Sequence, residues 1–460
     1  MKQPDNRTAA IRIIRTLRDR GHEAYLVGGC VRDMLLGRRR KKDEHDVATS
    51  ARTEEVISLF PKTLLVGAQF GVVLVGMGGQ WIEVASFRCD EGYTDGRHPD
   101  RVRIGSLRED AERRDFTVNG LYYDPIEDRL IDLVGGRADL EKHLLRAIGN
   151  PEARFGEDHL RMLRAVRFAG QLSGFQIESE TAQAIRRLAD RITGISAERI
   201  LEELKKLLTA DHRVTGLILA EELGLLRYIL PEVSGLHGVA AGSLADEFSS
   251  DALAADAFDQ TLAALRELPD DTDFPVALAA LLHLAGGVKK LPPDFPVWAR
   301  PNPKTWVPSA KLTDMIARRL GCSNRERIDT VWLVQLLPLL GRTQRLSLAP
   351  IKRLMMYGHH EGLIRLYSAR VQAGLEPREN LDAFEQTVRR IDPASLAAPP
   401  LLTGQDLTDT LNLVPGPGYQ RILDMVYDAQ LNEEIKTKQE ALALAGKISE
   451  SASFNPKSKI

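Results

Sequence analysis

The chain has 460 residues, too many for one compact core, so two to four domains are expected. Its 43% hydrophobic and 27% charged residues are the balance of a soluble globular protein. A formal net charge of −2 argues against gripping long RNA by charge alone and leaves room for a locally basic RNA site.

No apolar run approaches the roughly 20 residues that span a bilayer, and the N-terminus is polar, without the apolar core of a signal peptide. Cys30, Cys89 and Cys322 are far apart and fit no zinc spacing. They read as reduced thiols of a cytoplasmic protein.

In chain order, Ile11, Ile13, Ile14 and Leu17 predict a helix over residues 7–20. Glu23–Val27 reads as a short strand and Val31–Leu36 as a helix opened by glycines. Val47–Ala48 continues a strand out of an acidic stretch. Thr53–Phe60 starts with threonine followed by acids, a helix-start signal. Leu64–Val66, Phe70–Val75 and the alternating Trp81–Phe87 look like strands of one sheet. Residues 1–145 therefore read as a small α+β domain.

From Pro151 the pattern turns helical, with leucine, alanine and arginine at three- and four-residue spacing through Leu160–Gly170, Thr181–Leu188 and Ser196–Leu208. Breaks rich in small residues or proline fall at Gly235–Ser250, Lys289–Pro308 and Asp392–Pro400. The expected division is a head at 1–145, all-α segments at 146–235, 236–390 and 391–449, and a disordered tail at 450–460.

The chemistry concentrates in Leu26–Thr49. Gly28-Gly29 ends an apolar run, so backbone N–H groups at the following helix start can meet a phosphate, and Arg32 adds a fork of donors. Asp43-Glu44-His45-Asp46 follows. On a strand, residues i and i+2 share a face, which joins Glu44 to Asp46; Asp43 joins them only through a bulge. Such carboxylates can hold the two Mg2+ ions that activate a hydroxyl and neutralise a triphosphate. The plainer alternative is a solvated acidic turn.

Two arginine-rich stretches follow. In Arg113–Gly120, Arg114 can reach a triphosphate or an RNA end, and Asp115 can orient an arginine; the plainer alternative is a surface ion pair of little worth. In Arg154–Phe168, Asp158 and Arg161 are helical neighbours. Arg164 adjoins Arg161, whereas Arg167 turns to the other side. An arginine donating to a ring acceptor and an aspartate accepting from an exocyclic amino group would select C and A over U and G. A salt-bridged helix face is the alternative.

These ordered stretches resemble the bacterial tRNA nucleotidyltransferase and poly(A) polymerase family, class II of the polymerase-beta-like nucleotidyltransferases. The resemblance rests on Val27–Asp33, Asp46–Thr49, Arg113–Gly120, Ile131–Gly136, Arg146–Pro151 and Glu157–Arg161 with Arg164 and Arg167, and is dense over residues 20–210. It implies a catalytic α+β head followed by helical neck, body and tail. It further implies that Gly29 and Arg32 contact the incoming nucleotide and that Asp46 holds magnesium. By the same likeness Arg114, Asp158, Arg161, Arg164 and Arg167 line the nucleotide pocket, with Asp158 and Arg161 reading the base. Glu83, in Ile82-Glu83-Val84, can support the metal site.

Two departures stand out. Relatives carry Asp-x-Asp where this chain has Glu44-His45-Asp46, after a loop about two residues longer. The extra methylene of Glu44 shifts its carboxylate by roughly 1 Å, and misplacement on that scale can cost about a hundredfold in rate. Downstream, Asp259–Leu262 and Phe274–Gly286 resemble an HD phosphohydrolase-like region, but leucine follows His283 where the metal-binding aspartate belongs. A helical scaffold without phosphohydrolase activity is expected there.

The leading expectation is therefore a Mg2+-dependent enzyme adding CMP and AMP from CTP and ATP to the 3′ end of tRNA, fully or in part. A poly(A) polymerase is the runner-up; Gly67–Gly71 looks closer to the tRNA-directed relatives. A third reading is a catalytically weakened RNA-binding protein.

Overall fold

The computed structural model describes residues 5–38, 44–66, 71–92, 101–245, 249–287, 306–396, 398–413 and 416–450. The chain divides into two compact units, Met1–Pro231 and Glu232–Ile460. Asp43, most of Gly67–Gly71 and the tail 451–460 lie outside the described residues.

The first unit opens with α1 (Asn6–Arg18). Asp5 caps it by accepting the Thr8 N–H at 2.8 Å. Its buried stripe is Ala9, Ala10, Ile13, Ile14 and Leu17. The helix packs against a seven-stranded sheet. In chain order the strands are β1 (Ala24–Val27), β2 (Asp46–Thr49), β3 (Thr63–Leu65), β4 (Val72–Met77) and β5 (Gln80–Ser86). Next come β6 (Arg88–Glu91) and β7 (Arg101–Ile104), which pair with each other, and then β8 (Leu121–Asp124) and β9 (Arg129–Asp132). The spatial order of the sheet is β3-β4-β5-β2-β1-β8-β9, and within it β2 and β5 run parallel.

Strand character follows side-chain alternation. All four residues of central β1 are buried, as apolar Ala-Tyr-Leu-Val demands. In β5, buried Ile82 and Val84 alternate with exposed Trp81 and Glu83, so one face of the sheet stays open there. The sequence reading of β3, β4 and β5 as one sheet holds.

Four short helices decorate this head. The first, α2 (Gly29–Leu35), leaves β1 through Gly28, whose φ of +75° a side chain would strain. In α3 (Thr53–Leu59), Glu55 reaches back to the Arg52 N–H at 2.7 Å, so the cap falls one residue before Thr53. The third, α4 (Leu107–Glu112), has a reciprocal cap between Ser106 and Glu109. The last is α5 (Gly136–Glu141).

The helical part of this unit runs through α6 (Pro151–Glu157), α7 (Leu160–Gln171), α8 (Ser179–Leu188), α9 (Ala197–Leu208) and α10 (Arg213–Glu222). It is tied to the head by a parallel pair of two-residue strands, Leu144–Leu145 with Gln176–Ile177. Helix α7 packs on both α9 and α10. Its crossing with α10 is backbone to backbone. A Cβ on Gly170 would lie 3.0 Å from the Gly216 Cα, and one on Gly216 would lie 2.3 Å from Leu207 Cδ1.

The second unit is helical. Helices Ala257–Arg266, Phe274–Leu282, Pro308–Arg319, Asn324–Leu340 and His360–Gln372 pack together. A separate small core joins Gly404–Leu411, Pro417–Leu431 and Lys438–Glu450 through Leu407, Ile422, Val426 and Ala441. Glu450, expected in the tail, closes the last of these helices. Among the described residues, no helix is long and apolar enough to cross a membrane.

Candidate active site

Pairing in the sheet places the acidic residues. Asp46 lies opposite Val27, the residue before Gly28. On the other side of β2, Val47 pairs with Val84 of parallel β5. Asp46 and Glu83 each stand one residue upstream of that pair, so they share the open face of the sheet. Partial desolvation raises the Glu83 carboxyl above its ordinary value, and the negative charge of Glu44 raises it further. Asp46 and Glu83 thus share an acidic edge of the sheet beside the glycine turn, with Glu44 close enough to act on Glu83.

This edge suits a hard divalent cation. Mutual repulsion between Glu44 and Glu83 is the charge imbalance that such an ion relieves. Among the described residues, no group of three or more histidine, cysteine, aspartate or glutamate side chains is placed to hold a metal ion. Magnesium ordinarily takes one or two protein carboxylates and completes its shell with water and substrate phosphate, so the residues present fit Mg2+.

Arg114 is held beside the same turn. It donates to the Tyr122 hydroxyl at 3.1 Å through Nε and to Asp110 at 3.0 Å through Nη2. Its Nη1 lies 3.6 Å from where a Cβ on Gly28 would be. Asp110 is buried and also accepts from Arg113 and from the Tyr122 hydroxyl. Burial opposes its charge, but Arg114, Arg113 and that hydroxyl hold its carboxyl down at about 2.

Behind the turn lies a connected set of ion pairs. Arg32, predicted to face phosphate, is buried. It donates to Asp33 at 2.9 Å and to Asn119 at 2.6 Å. Asn119 donates in turn to Asp115 at 3.1 Å. Asp115 does orient an arginine, because Arg164 gives it two bonds at 2.9 and 2.7 Å. Despite burial, Arg164 and Asn119 hold the Asp115 carboxyl at about 2. Arg167 turns the other way, onto buried Glu203 of α9. The guanidinium carbons of Arg32, Arg164 and Arg167 lie 5.2, 5.5 and 3.9 Å from the centre of the Phe168 ring.

The expectation that Asp158 and Arg161 share one helix is corrected. Helix α6 ends at Glu157, Asp158 is extended at φ −150°, and α7 begins at Leu160. The break arises because the Asp158 carboxylate accepts the Leu160 N–H at 3.1 Å, competing with helical continuation. Arg161 pairs instead with Glu157 and the Arg154 carbonyl, at 2.5 and 2.8 Å. Asp158 pairs with Arg199 of α9.

Sequence reasoning passed over Asp110, Phe168, Arg199 and Glu203. One signal was available. Glu203 interrupts the apolar stripe Ile200, Leu201, Leu204 and Leu207, where a carboxylate needs a buried partner.

In the second unit, His283 is also spoken for. Its Nδ1 lies 2.7 Å from the Ala280 carbonyl, which makes it the donor there, and Arg370 donates to its Nε2 at 2.6 Å. Arg370 in turn pairs with fully buried Glu376 at 2.6 Å. A guanidinium thus stands against the nitrogen that a metal would need. Elsewhere in this unit His359 faces Asp273 at 3.5 Å, and His360 Nδ1 lies 2.8 Å from the Tyr357 carbonyl.

A mixed sheet with carboxylates on parallel neighbours, a glycine turn and an arginine-lined helix make up an α+β head with a helical extension. The family model described as the Poly A polymerase head domain matches residues 24–146, and that described as the probable RNA and SrmB-binding site of polymerase A matches residues 174–236. Over these residues the chain is similar, in order, to the head and RNA-binding regions of polymerase A proteins.

Among curated proteins, it is 45% identical over 230 residues to a CCA-adding enzyme of Geobacillus sp. (strain WCH70), covering 50% of this chain and 55% of that one. It is 47% identical over 222 residues to a CCA-adding enzyme of Lactiplantibacillus plantarum, covering 48% and 54%. The chain spans about half the length of the curated relatives it matches. Among solved structures, the Bacillus stearothermophilus CCA-adding enzyme in complex with CTP is similar over 97% of this chain and 98% of that one. The TM-score is 0.73 and the identity 27%. The Thermotoga maritima CCA-adding enzyme complexed with tRNA shares the fold at a TM-score of 0.57 and 18% identity, covering 98% of this chain and 97% of that one.

Proposed function

We propose that this chain adds CMP and AMP from CTP and ATP to the 3′ end of tRNA, building all or part of a CCA end and releasing pyrophosphate, in the cytoplasm. The observation that supports it best is the likeness, over nearly the whole chain, to a CCA-adding enzyme solved with CTP.

In this reading Asp46, with Glu44, Glu83 or Asp43, holds Mg2+. Bound there, the ion supplies charge neutralisation at the triphosphate and a more acidic primer hydroxyl. Gly28 and Gly29 let the backbone approach the phosphates, and Arg114, braced by Asp110 and Tyr122 beside Gly28, donates to them. Arg32 supports the same pocket from behind. Asp158 accepts from the amino group of C or A, and Arg161 donates to the adjacent ring nitrogen. U and G present a carbonyl and an N–H instead, which meet an acceptor and a donor of the wrong kind. Arg164 and Arg167 form the pocket wall, fixed by Asp115 and Glu203.

The test is to incubate pure protein and Mg2+ with tRNA transcripts lacking CCA, transcripts lacking only the final A, and an unstructured RNA, each with CTP, ATP or both. C and then A on tRNA is the expected result. Long A tails on unstructured RNA would instead establish a poly(A) polymerase, a reading that the poly(A) polymerase head match favours second. Retained tRNA binding with no incorporation would leave a weakened RNA-binding protein.

A further inference from the structure

We infer that Arg199, on α9, is a positioning residue for base selection, acting through Asp158. The inference rests on the base-reading role proposed above for Asp158.

The geometry is a fork on a carboxylate. Arg199 Nη1 donates to Asp158 Oδ1 at 3.2 Å, and Nη2 donates to Oδ2 at 2.8 Å. The Leu160 N–H takes a further site on Oδ1 at 3.1 Å. A carboxylate offers about four lone-pair sites. Oδ1 is therefore filled, while Oδ2 accepts one bond and keeps one site for another donor. A bidentate arginine also fixes the plane of the carboxylate, which a lone aspartate outside a helix would not do for itself.

The position of Asp158 makes such a brace necessary. It sits in the extended break between α6 and α7, so no helical backbone sets its direction. The brace comes from a different helix. Arg199 and Glu203 stand one turn apart on α9. The first holds Asp158, and the second holds Arg167 and approaches Arg164 at 3.8 Å. One face of α9 thus sets the orientation of the acceptor and of the neighbouring arginines Arg164 and Arg167. A swivelled Asp158 would no longer meet the amino group of C and would lose the distinction from U.

The test measures kcat/KM for CTP and for UTP on tRNA lacking CCA, with tRNA affinity and thermal midpoint followed in parallel. Arg199→Met is expected to lower the CTP-over-UTP ratio about tenfold or more, the scale of one bidentate pair removed. tRNA affinity should stay within about twofold of the parent, and Arg199→Lys should restore part of the ratio. Should Arg199→Met fail to fold, Arg199→Gln is judged by the same ratio. Equal loss of rate with both nucleotides, ratio intact, would make Arg199 a scaffold residue and overturn the inference. Asp158→Ala separates the two layers. If it lowers the ratio and the Arg199 variants do not, only the present inference falls. If it leaves the ratio unchanged, the base-reading role falls and Arg199 with it.

Discussion

Asp115 and Arg164 join the loop after α4 to the face of α7, with two guanidinium nitrogens on one carboxylate oxygen at 2.9 and 2.7 Å. Asp115 passes the connection on, through Asn119, to Arg32 on α2. Residues 49 positions apart thereby set one another's orientation. Asp115→Asn should leave Arg164 half-buried with a weaker acceptor. Steady-state kinetics should show kcat falling about tenfold or more with KM for tRNA little changed, because the pocket wall loosens while the grip on the primer stays. A rise confined to KM for tRNA would place Asp115 in primer binding instead.

Asp46→Ala tests the acidic edge. On the proposed function this removes a metal carboxylate and several kcal/mol of transition-state stabilisation, so incorporation should drop by about 10³ or more, while tRNA binding persists. Activity within about tenfold of the parent would mean that the metal is held elsewhere.

Glu203→Gln removes the charge facing Arg167, whose side chain is only 7% exposed. An uncompensated buried guanidinium should cost about 3–5 kcal/mol in denaturant unfolding of the first unit. Paired replacement of Glu203 and Arg167 by apolar residues of similar size should recover most of that loss, and a double-mutant cycle measures how much.

The two units should respond to acid over different ranges. His283 is pushed down to about 3, first by burial and then by the Arg370 charge. Its folded value lies below its unfolded one, near 6.5, so between these values the unfolded chain binds more protons and stability falls as pH falls. Asp110 and Asp115, held at about 2, contribute stability that is complete above the ordinary aspartate value of about 4 and is lost on acidification towards 2. The second unit should therefore begin to weaken below about pH 6.5 and the first only below about pH 4. Hydrogen exchange resolved by segment from pH 7 to pH 3 measures this, and His283→Gln should flatten the decline of the second unit in mild acid.

Much of the head was legible in the sequence because its determinants are local. Alternation in Trp81–Phe87 and the all-apolar Ala24–Val27 specify strands, and glycine at position 28 marks the turn that only a left-handed backbone completes. The partners were not legible. Strands β8 and β9 complete the sheet through pairing with β1 from a hundred residues away, which no periodicity announces. The helix break at Asp158 hides inside an unbroken helical pattern, because one side-chain acceptor outbids helical continuation there. Arg199 and Glu203 lie on an amphipathic helix whose spacing gives its buried face but not what that face holds.

The glycine crossing of α7 and α10 carries a further consequence. Gly170 is two residues past Phe168 and three past Arg167, and its backbone rests directly on Gly216. A single methyl group at either position has no space of its own, so the arginines of α7 are open to re-aiming from this crossing. On the proposed function, nucleotide choice is then adjustable from this crossing, and a laboratory selection for altered choice should return substitutions at Gly170 and Gly216 as readily as at the pocket.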